Sequence, residues 1–116
     1  MRKSKRVSRV REDESFSEKE EDGQYTYELY IHGKVVNRAK LLGRGFLIKL
    51  DSFPPMCGYG TKMMNYVEKR ALEHNISTID ITQISDDAKG FFTKRGYELR
   101  PHPDILDEFE ATKKLT

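Results

Sequence analysis

The sequence predicts an α+β fold in which an antiparallel front half continues into a mixed sheet with helices. Two observations carry this prediction. From residue 24 to residue 52, apolar and polar residues alternate, with turn residues at intervals, which is typical of strands joined by tight turns. After residue 58 the apolar period changes to that of a helix, and a run rich in β-branched residues follows.

The alternating part contains three predicted strands. Tyr25, Tyr27, Leu29 and Ile31 occupy one face of the first strand, and His32-Gly33 then turns the chain. The three strands are Tyr25 to Ile31, Val35 to Leu42 and Gly45 to Ser52, and the most apolar part of the last one starts at Phe46.

A glycine-rich turn, Gly58-Tyr59-Gly60-Thr61, leads directly into a predicted amphipathic helix that ends near His74-Asn75. The first N–H groups of a helix have no partner within the helix, and the helix dipole adds positive charge there. Glycine, which has no Cβ, allows a ligand to approach the main chain closely. The turn is therefore either a phosphate-binding site or only a tight turn at a helix start.

The remaining elements follow in quick succession. Ile76 to Ile84 is a predicted strand, and Ser85-Asp86-Asp87 supplies N-cap chemistry for a short helix from Ala88 to Arg95. Gly96 ends this helix. Extended structure is then predicted at Tyr97-Glu98-Leu99, briefly at Ile105 to Phe109, and in a closing strand at Ala111 to Leu115.

Two segments carry a resemblance to a known family: Gly58 to Asn65, GYGTKMMN, and Ala88 to Tyr97, AKGFFTKRGY. Together, in this order, they resemble the GNAT superfamily of acetyl-CoA-dependent N-acetyltransferases, most closely its histone acetyltransferase branch, with a shortened substrate side. The resemblance implies the GNAT-like acyl-CoA N-acyltransferase fold, in which two central strands, here Phe46 to Asp51 and Ile79 to Gln83, splay apart. It also implies acetyl-CoA as cofactor and transfer of an acetyl group to an amine, such as a protein lysine or N-terminus.

By the same resemblance, coenzyme A contacts fall on Leu50, on the main chain of the loop and helix start, and on three later positions. The main-chain N–H of Leu50 would also stabilise the oxyanion, and Asp51, the only carboxylate of its strand, is the candidate base. The predicted cofactor-binding residues are Leu50, Met56, Cys57, Gly58, Tyr59, Gly60, Thr61, Lys62, Ser85, Phe91 and Phe92.

The chain departs from the family pattern at several positions. Pro55 lacks an N–H that the family uses, Phe92 occupies the place of a tyrosine acid, and Arg44 that of a glutamate base. Two helices that cover the substrate side in the family are missing. Two functions therefore remain open. The first is an acetyltransferase, either for an exposed acceptor or with its cleft completed by a homodimer partner. The second is a degenerate module that binds coenzyme A or a protein without catalysis.

Composition limits the remaining options. With 116 residues, of which 34% are charged, the chain forms one domain with one modest core. The single cysteine excludes an internal disulfide and, with no apolar run long enough to span a membrane, favours a cytoplasmic protein. Three scattered histidines without ligand spacing predict no metal site.

Residues 1–22 are predicted to form a charged, flexible arm, and residues 23–116 the GNAT-like domain. Six basic residues up to Arg11 precede an acidic run from Glu12 to Asp22. Such blocks are usually solvated tails. Two alternatives stay open: the basic part contacts nucleic acid or an acidic partner, although no aromatic residue interleaves it, or Val7 to Val10 pairs as an edge strand beside a short acidic helix.

Overall fold

The N-terminal half of the molecule is a five-stranded antiparallel sheet. The computed structural model describes residues 3–11, 13–52 and 58–116, with main chain alone for residues 3–11 and 52. The strands pair in chain order, each with the next. They are β1 (Lys3–Arg11), β2 (Glu14–Glu21), β3 (Gln24–Ile31), β4 (Lys34–Leu42) and β5 (Leu47–Ser52).

Two-residue turns fix the register of the central hairpins. Asp22-Gly23 joins β2 to β3 with φ angles of 54° and 75°, and His32-Gly33 joins β3 to β4 with 50° and 79°. Positive φ at both central positions is the type I′ geometry, whose twist matches that of the flanking strands. The His32-Gly33 turn is confirmed, whereas the turn at Asp22-Gly23 was not predicted.

The C-terminal half combines helices with a second, three-stranded sheet of order β6-β8-β7. The first helix packs on one face of the five-stranded sheet, through contacts with β3, β4 and β5. It ends at His74, followed by Asn75 with φ of 64°, as predicted. The elements are α1 (Tyr59–Glu73), β6 (Thr78–Ser85), a 3₁₀ turn (Asp86–Ala88), α2 (Lys89–Lys94), β7 (Glu98–Pro101) and β8 (Glu108–Lys114).

The two sheets meet at a single point. Phe46 and Asp80 form an isolated parallel bridge, next to which the Asp80 N–H donates to the Gly45 carbonyl at 2.8 Å. Beyond this bridge, the described residues of β5 and β6 do not pair with each other. The predicted splaying of these strands, and with it the α+β class, is confirmed.

Gly45 makes this meeting point possible. Its φ is 99°, and a Cβ built there would overlap the main-chain oxygen of Thr78. Only glycine accepts both the backbone conformation and the close approach of β6. Gly45 is therefore the pivot from which β5 and β6 diverge.

The segment before residue 23 departs from its expected structure. Instead of forming an acidic helix, residues 14–21 are a strand whose Glu14, Phe16 and Glu18 point toward α1. Phe16 stacks on Tyr66 with ring centroids 4.3 Å apart. The sheet thus runs continuously across the domain boundary predicted at residue 22. For β1, which pairs with β2, the alternative of an edge strand describes the structure better than the prediction of a solvated tail. The boundary itself and the flexibility of the arm stay predictions.

Ion pairs explain why these acidic residues can be buried. Glu18 receives two hydrogen bonds from the Arg70 guanidinium, at 2.8 and 3.0 Å, and both side chains are less than a tenth exposed. His74 lies 3.1 Å from the same carboxylate. Burial alone would raise the pKa of Glu18, but hydrogen bonds from Arg70 and His74 hold it below its ordinary value.

The short helix also starts differently from the prediction. A 3₁₀ turn precedes α2, and Ser85 makes no side-chain capping bond, so the predicted capping by Ser85 is wrong. The end at Gly96 is confirmed, with φ of 89°. Neither helix in the described parts of the chain is long and apolar enough to cross a membrane.

Candidate functional site

A large cleft of about 1080 Å³ opens where β5 and β6 separate. One wall is β5, the other is β6, and the start of α1 and the α2 region close its wide end. Its lining combines apolar side chains with a few polar groups, namely Leu47, Ile48, Lys49, Leu50, Asp51, Gly58, Gly60, Thr61, Ile81, Thr82, Gln83, Ile84, Ser85, Asp87, Ala88, Phe91, Phe92 and Glu108.

The edge of β5 that faces the cleft offers main-chain hydrogen-bonding groups. β5 pairs with β4 along its other edge, and in the described part of the chain the only bridge to β6 is at Phe46, the residue before β5. An unpaired strand edge is a template for an extended partner, which adds its own amide groups to the ladder. The cleft can therefore hold an extended, amide-containing ligand beside β5.

The start of α1 supplies the second binding feature. Gly58 is the N-cap, with φ of 77°, no side-chain cap bond and no acidic residue in the first turn. The first main-chain bond of the helix runs from the Lys62 N–H to the Gly58 carbonyl, at 3.3 Å. The N–H groups of the three residues between have no partner within the helix. This positive helix end lies at the wide end of the cleft and suits an anion.

Among the described residues, the space around Gly58 is open. A Cβ built there meets no described atom within 4 Å, so packing against the described residues does not require the small side chain. The positive φ explains part of the preference for glycine. The open volume above the main chain is where an anionic ligand would approach these N–H groups.

Bulges in both walls aim side chains into the cleft. The β4–β5 register skips Ile48, which is 52% exposed, and the β6–β8 register shifts between Ile81 and Ile84. In β6 this makes Thr82 and Gln83 both exposed, although strand residues normally alternate. Gln83 Nε2 donates to Glu108 on the neighbouring strand β8, at 3.3 Å.

The aromatic pair of α2 has a divided role. Phe92 is buried and contacts the rings of Phe91 and Tyr97 edge to face, with centroids 5.0 and 5.4 Å away. Both phenylalanines also line the cleft.

Tyr97, which packs against Phe92, is held in its neutral form. Burial raises the pKa of its phenol far above the ordinary value, and the charge of Glu68 and a hydrogen bond to Glu68 raise it further. Tyr97 therefore stays a neutral donor to Glu68, at 2.9 Å.

Most of the predicted site residues lie together in the cleft. Those that line it are Leu50, Asp51, Gly58, Gly60, Thr61, Ser85, Phe91 and Phe92. Met56 and Cys57, together with Pro55, lie outside the described residues. Tyr59 packs against the hydrophobic core. The Lys62 ammonium lies 2.6 Å from Glu14, and the Lys62 main-chain N–H donates within the helix, so each of these groups has a partner within the protein.

Asp51 lies at the wide end of the cleft, five positions beyond Phe46. Its Oδ2 is 3.4 Å from Lys49 Nζ, and both side chains are a little over 40% exposed. The role of Asp51 as base stays a prediction. In residues 13–52 and 58–116 there is no group of three or more side chains able to hold a metal ion.

The cleft also contains polar residues that the sequence analysis missed. Thr82, Gln83 and Glu108 enter it because of the β6 bulge and the β6–β8 pairing. A bulge of this kind leaves no signal in the alternation of a short strand. Pairing with a strand 25 residues further along the chain is equally invisible in a local pattern.

Comparisons with known proteins find similarity in structure. No family model and no curated protein sequence matches the chain. A GCN5-related N-acetyltransferase from Rhodopseudomonas palustris is 28% identical, with a TM-score of 0.64 over 79% of this chain and 62% of its own. The chain thus spans less than two thirds of that protein's length.

Two other solved structures have the same fold at lower identity. The PaiA N-acetyltransferase from Thermoplasma acidophilum, solved in complex with coenzyme A, is 14% identical, with a TM-score of 0.68 over 79% of this chain and 61% of its own. Tetrahymena GCN5 is 18% identical, with a TM-score of 0.65 over 83% of this chain and 71% of its own. The splayed strands, the cleft and these similarities together show that the chain has the α+β fold of the GNAT N-acetyltransferases.

Proposed function

We propose that this protein is an acetyl-CoA-dependent N-acetyltransferase of the GNAT superfamily, nearest to its histone acetyltransferase branch. One observation carries the proposal: the uncapped start of α1 opens into the cleft between β5 and β6. An anion site at one end and a free strand edge along one wall match a long ligand with phosphates at one end and amides along its arm.

The main chain would do most of the binding. The N–H groups at the start of α1, at Tyr59, Gly60 and Thr61, would hold the pyrophosphate, and the edge of β5 around Leu50 would pair with the amide-containing arm. Apolar side chains of the opposite wall, Ile81 and Ile84, would cover the arm. The coenzyme A complex of a protein with the same fold supports this assignment.

Acetyl-CoA would supply the acetyl group as a thioester. The chain's own part would be to exclude water, to position the amine and to stabilise negative charge on the carbonyl oxygen through a main-chain N–H near Leu50. Asp51 is the proposed base for the amine proton. Phe92 has no hydroxyl, so the leaving thiolate would be protonated from water.

The second candidate is a module that binds coenzyme A without catalysis. Burial of Phe92 in the aromatic cluster favours it, because this position offers no proton donor to the cleft. Both candidates share cofactor binding and differ in turnover. A homodimer that completes the substrate side stays a prediction.

A pair of glycine substitutions tests cofactor binding. Gly58 and Gly33 have φ angles of 77° and 79°, and a Cβ at either meets nothing within 4 Å. Gly58→Ala and Gly33→Ala should therefore cost similar stability, through strain at positive φ. Only Gly58→Ala places a methyl group where the phosphates would contact main chain, so we expect it to weaken acetyl-CoA binding about tenfold or more.

Calorimetric titration with acetyl-CoA measures both variants and the parent protein. Equal affinity for all three, with binding by the parent established, would exclude this loop as the phosphate site. Release of free thiol in the presence of a mixture of amines then separates the two candidates. Tight binding without thiol release supports the non-catalytic module.

A further inference from the structure

The face of the five-stranded sheet opposite α1 carries an aligned set of lysines. Lys19 on β2 pairs with Thr26 on β3, Thr26 pairs with Lys40 on β4, and Lys40 pairs with Lys49 on β5. Directly paired residues point to the same face of a sheet. We call Lys19, Lys40 and Lys49 the lysine row. Across three strand spacings it is about 14 Å long.

Among the described residues, the lysine row is only partly neutralised: Lys19 acts on the Glu28 carboxylate without forming an ion pair with it, and Lys49 pairs with Asp51. Lys40 and Lys49 are directly opposite each other, an arrangement that destabilises a sheet. The described residues include no carboxylate ion-paired with Lys19 or Lys40, and Lys49 meets only Asp51, at 3.4 Å. Glu21 is the next residue on this face of β2. A sheet face that carried lysines and carboxylates in alternation would be solvated equally well, so solvation alone does not explain a row of lysines.

The adjacent row shows what a neutralised arrangement looks like here. Arg38 on β4 is opposite Glu28 on β3, and its guanidinium lies 2.8 and 3.0 Å from the carboxylate. Burial alone would raise the pKa of Glu28, but hydrogen bonds from Tyr30 and Arg38 hold it below its ordinary value. Arg38 is therefore occupied, and the charge available to a partner is that of the lysine row.

The lysine row leads into the cleft. Lys49, its last member, lines the cleft together with Asp51. A chain lying across the row would therefore reach the site where the proposed acetyl transfer takes place. Side chains on one face of an extended peptide recur about every 7 Å, so acidic residues at alternate positions would match the row's length.

We propose that the acceptor is an acidic polypeptide segment whose carboxylates contact the lysine row while its amine enters the cleft. This rests on the proposed function, of which it specifies the substrate class. A polypeptide is favoured over nucleic acid because Tyr30 is the one aromatic ring beside the row among the described side chains, whereas binding of a single nucleic acid strand uses several aromatic rings on which bases stack.

Fluorescence anisotropy tests the proposal without requiring turnover. The probe is a labelled ten-residue peptide with glutamates at alternate positions and one lysine. The control peptide has glutamine in place of each glutamate. At low salt we expect the acidic peptide to bind about tenfold tighter. Lys40→Gln should weaken its binding about threefold, and substitution of the whole lysine row by glutamine about tenfold or more.

Lys69→Gln is the matched control, because Lys69 is exposed on α1 and lies away from this face. Its effect should stay below about twofold. Equal binding of both peptides, or an equal loss in Lys69→Gln and Lys40→Gln, would overturn the proposal. Tighter binding of a single-stranded oligonucleotide of the same charge would overturn it in favour of nucleic acid.

A parallel titration with acetyl-CoA separates this proposal from the proposed function. Lys19→Gln and Lys40→Gln, at the two members of the row that do not line the cleft, should keep the parent's acetyl-CoA affinity. Acetyl-CoA binding without a preference for the acidic peptide would overturn the acceptor class alone. A preference for the acidic peptide without acetyl-CoA binding would support the docking surface and overturn the acetyltransferase assignment.

Discussion

Five glycines of the described residues have a positive φ. Among their single exchanges for alanine, Gly45→Ala is expected to destabilise the protein most. Two costs combine at this position. The positive φ costs an L-residue about 1–2 kcal/mol. The new Cβ also overlaps the Thr78 carbonyl oxygen, which is main chain and cannot rotate away, so the β4–β5 turn must shift against β6. Such overpacking costs about 1–3 kcal/mol.

Gly33→Ala isolates the first of these costs. Gly33 has φ of 79° in a hairpin turn, and a Cβ there meets nothing within 4 Å. Both variants reduce the entropy of the unfolded chain equally. The free energy of unfolding of Gly45→Ala should therefore fall below that of Gly33→Ala by about 1–3 kcal/mol.

Urea denaturation followed by circular dichroism measures this difference. A shift of the midpoint at constant slope would show that stability changed, with the surface exposed on unfolding unaltered. Equal midpoints for the two variants would refute the reasoning, because the two strands would then meet without needing the bare main chain of Gly45.

Two further predictions concern Glu18 and Asp51. Glu18→Gln leaves the Arg70 guanidinium buried without its carboxylate and should cost about 3–5 kcal/mol, against less than about 1 kcal/mol for Glu73→Gln at the half-exposed partner of the same arginine. Because the folded-state pKa of Glu18 lies below its ordinary value of 4.5, the contribution of the Glu18 charge to stability is present above pH 4.5 and is lost as the pH falls further. From pH 6 to pH 3, the denaturation midpoint should therefore fall less steeply in Glu18→Gln than in the parent protein. Parallel curves for the two proteins would contradict this. Asp51→Asn should slow acetyl transfer about 10²-fold or more with little change in acetyl-CoA affinity if Asp51 is the base, whereas an unchanged kcat would leave it as a partner of Lys49 alone.

Local patterns were sufficient for the elements that build the cleft. The alternation from Tyr25 onward, the helix period after Gly58 and the stop at Gly96 each reflect preferences of residues close in sequence. The glycine turn and the aromatic segment of α2 are both recognised from residues close together in the sequence. The glycine turn lies at the wide end of the cleft, and the aromatic segment contributes to its lining. This is why the fold could be predicted, and why most of the predicted site residues line the cleft.

The strand β2 could not be predicted from its composition. Its sequence, ESFSEKEE, looks like a solvated acidic run, because the partners that allow Glu14 and Glu18 to be buried are Lys62 and Arg70 on α1. The partners are 48 and 52 residues away in sequence. Tertiary ion pairing here overrides local preference.

Two signals for β2 were nevertheless present in the sequence. Asp22-Gly23 is among the strongest hairpin dipeptides, and its type I′ turn joins β2 to β3. The spacing of two between Glu14, Phe16 and Glu18 also matches a spacing of four between Lys62, Tyr66 and Arg70. A strand and a helix with those two periods present their side chains in line, one pair after another. The pairs observed are Glu14 with Lys62, Phe16 with Tyr66, and Glu18 with Arg70.

The splaying that creates the site follows from three features acting together. Gly45 lets the two sheets touch at one point, the bulge at Ile48 bends β5, and the shift after Ile81 bends β6. A bulge increases local twist and interrupts pairing, so the two strands diverge from that point instead of closing into one ladder. Along the cleft, the described main chain of β5 has no strand on the side that faces β6, and an extended ligand of the proposed kind would replace the missing bonds there. The cleft is therefore a gap in a sheet, and its binding capacity comes mainly from backbone, which explains why it persists in a chain that departs from the family pattern at Arg44 and Phe92.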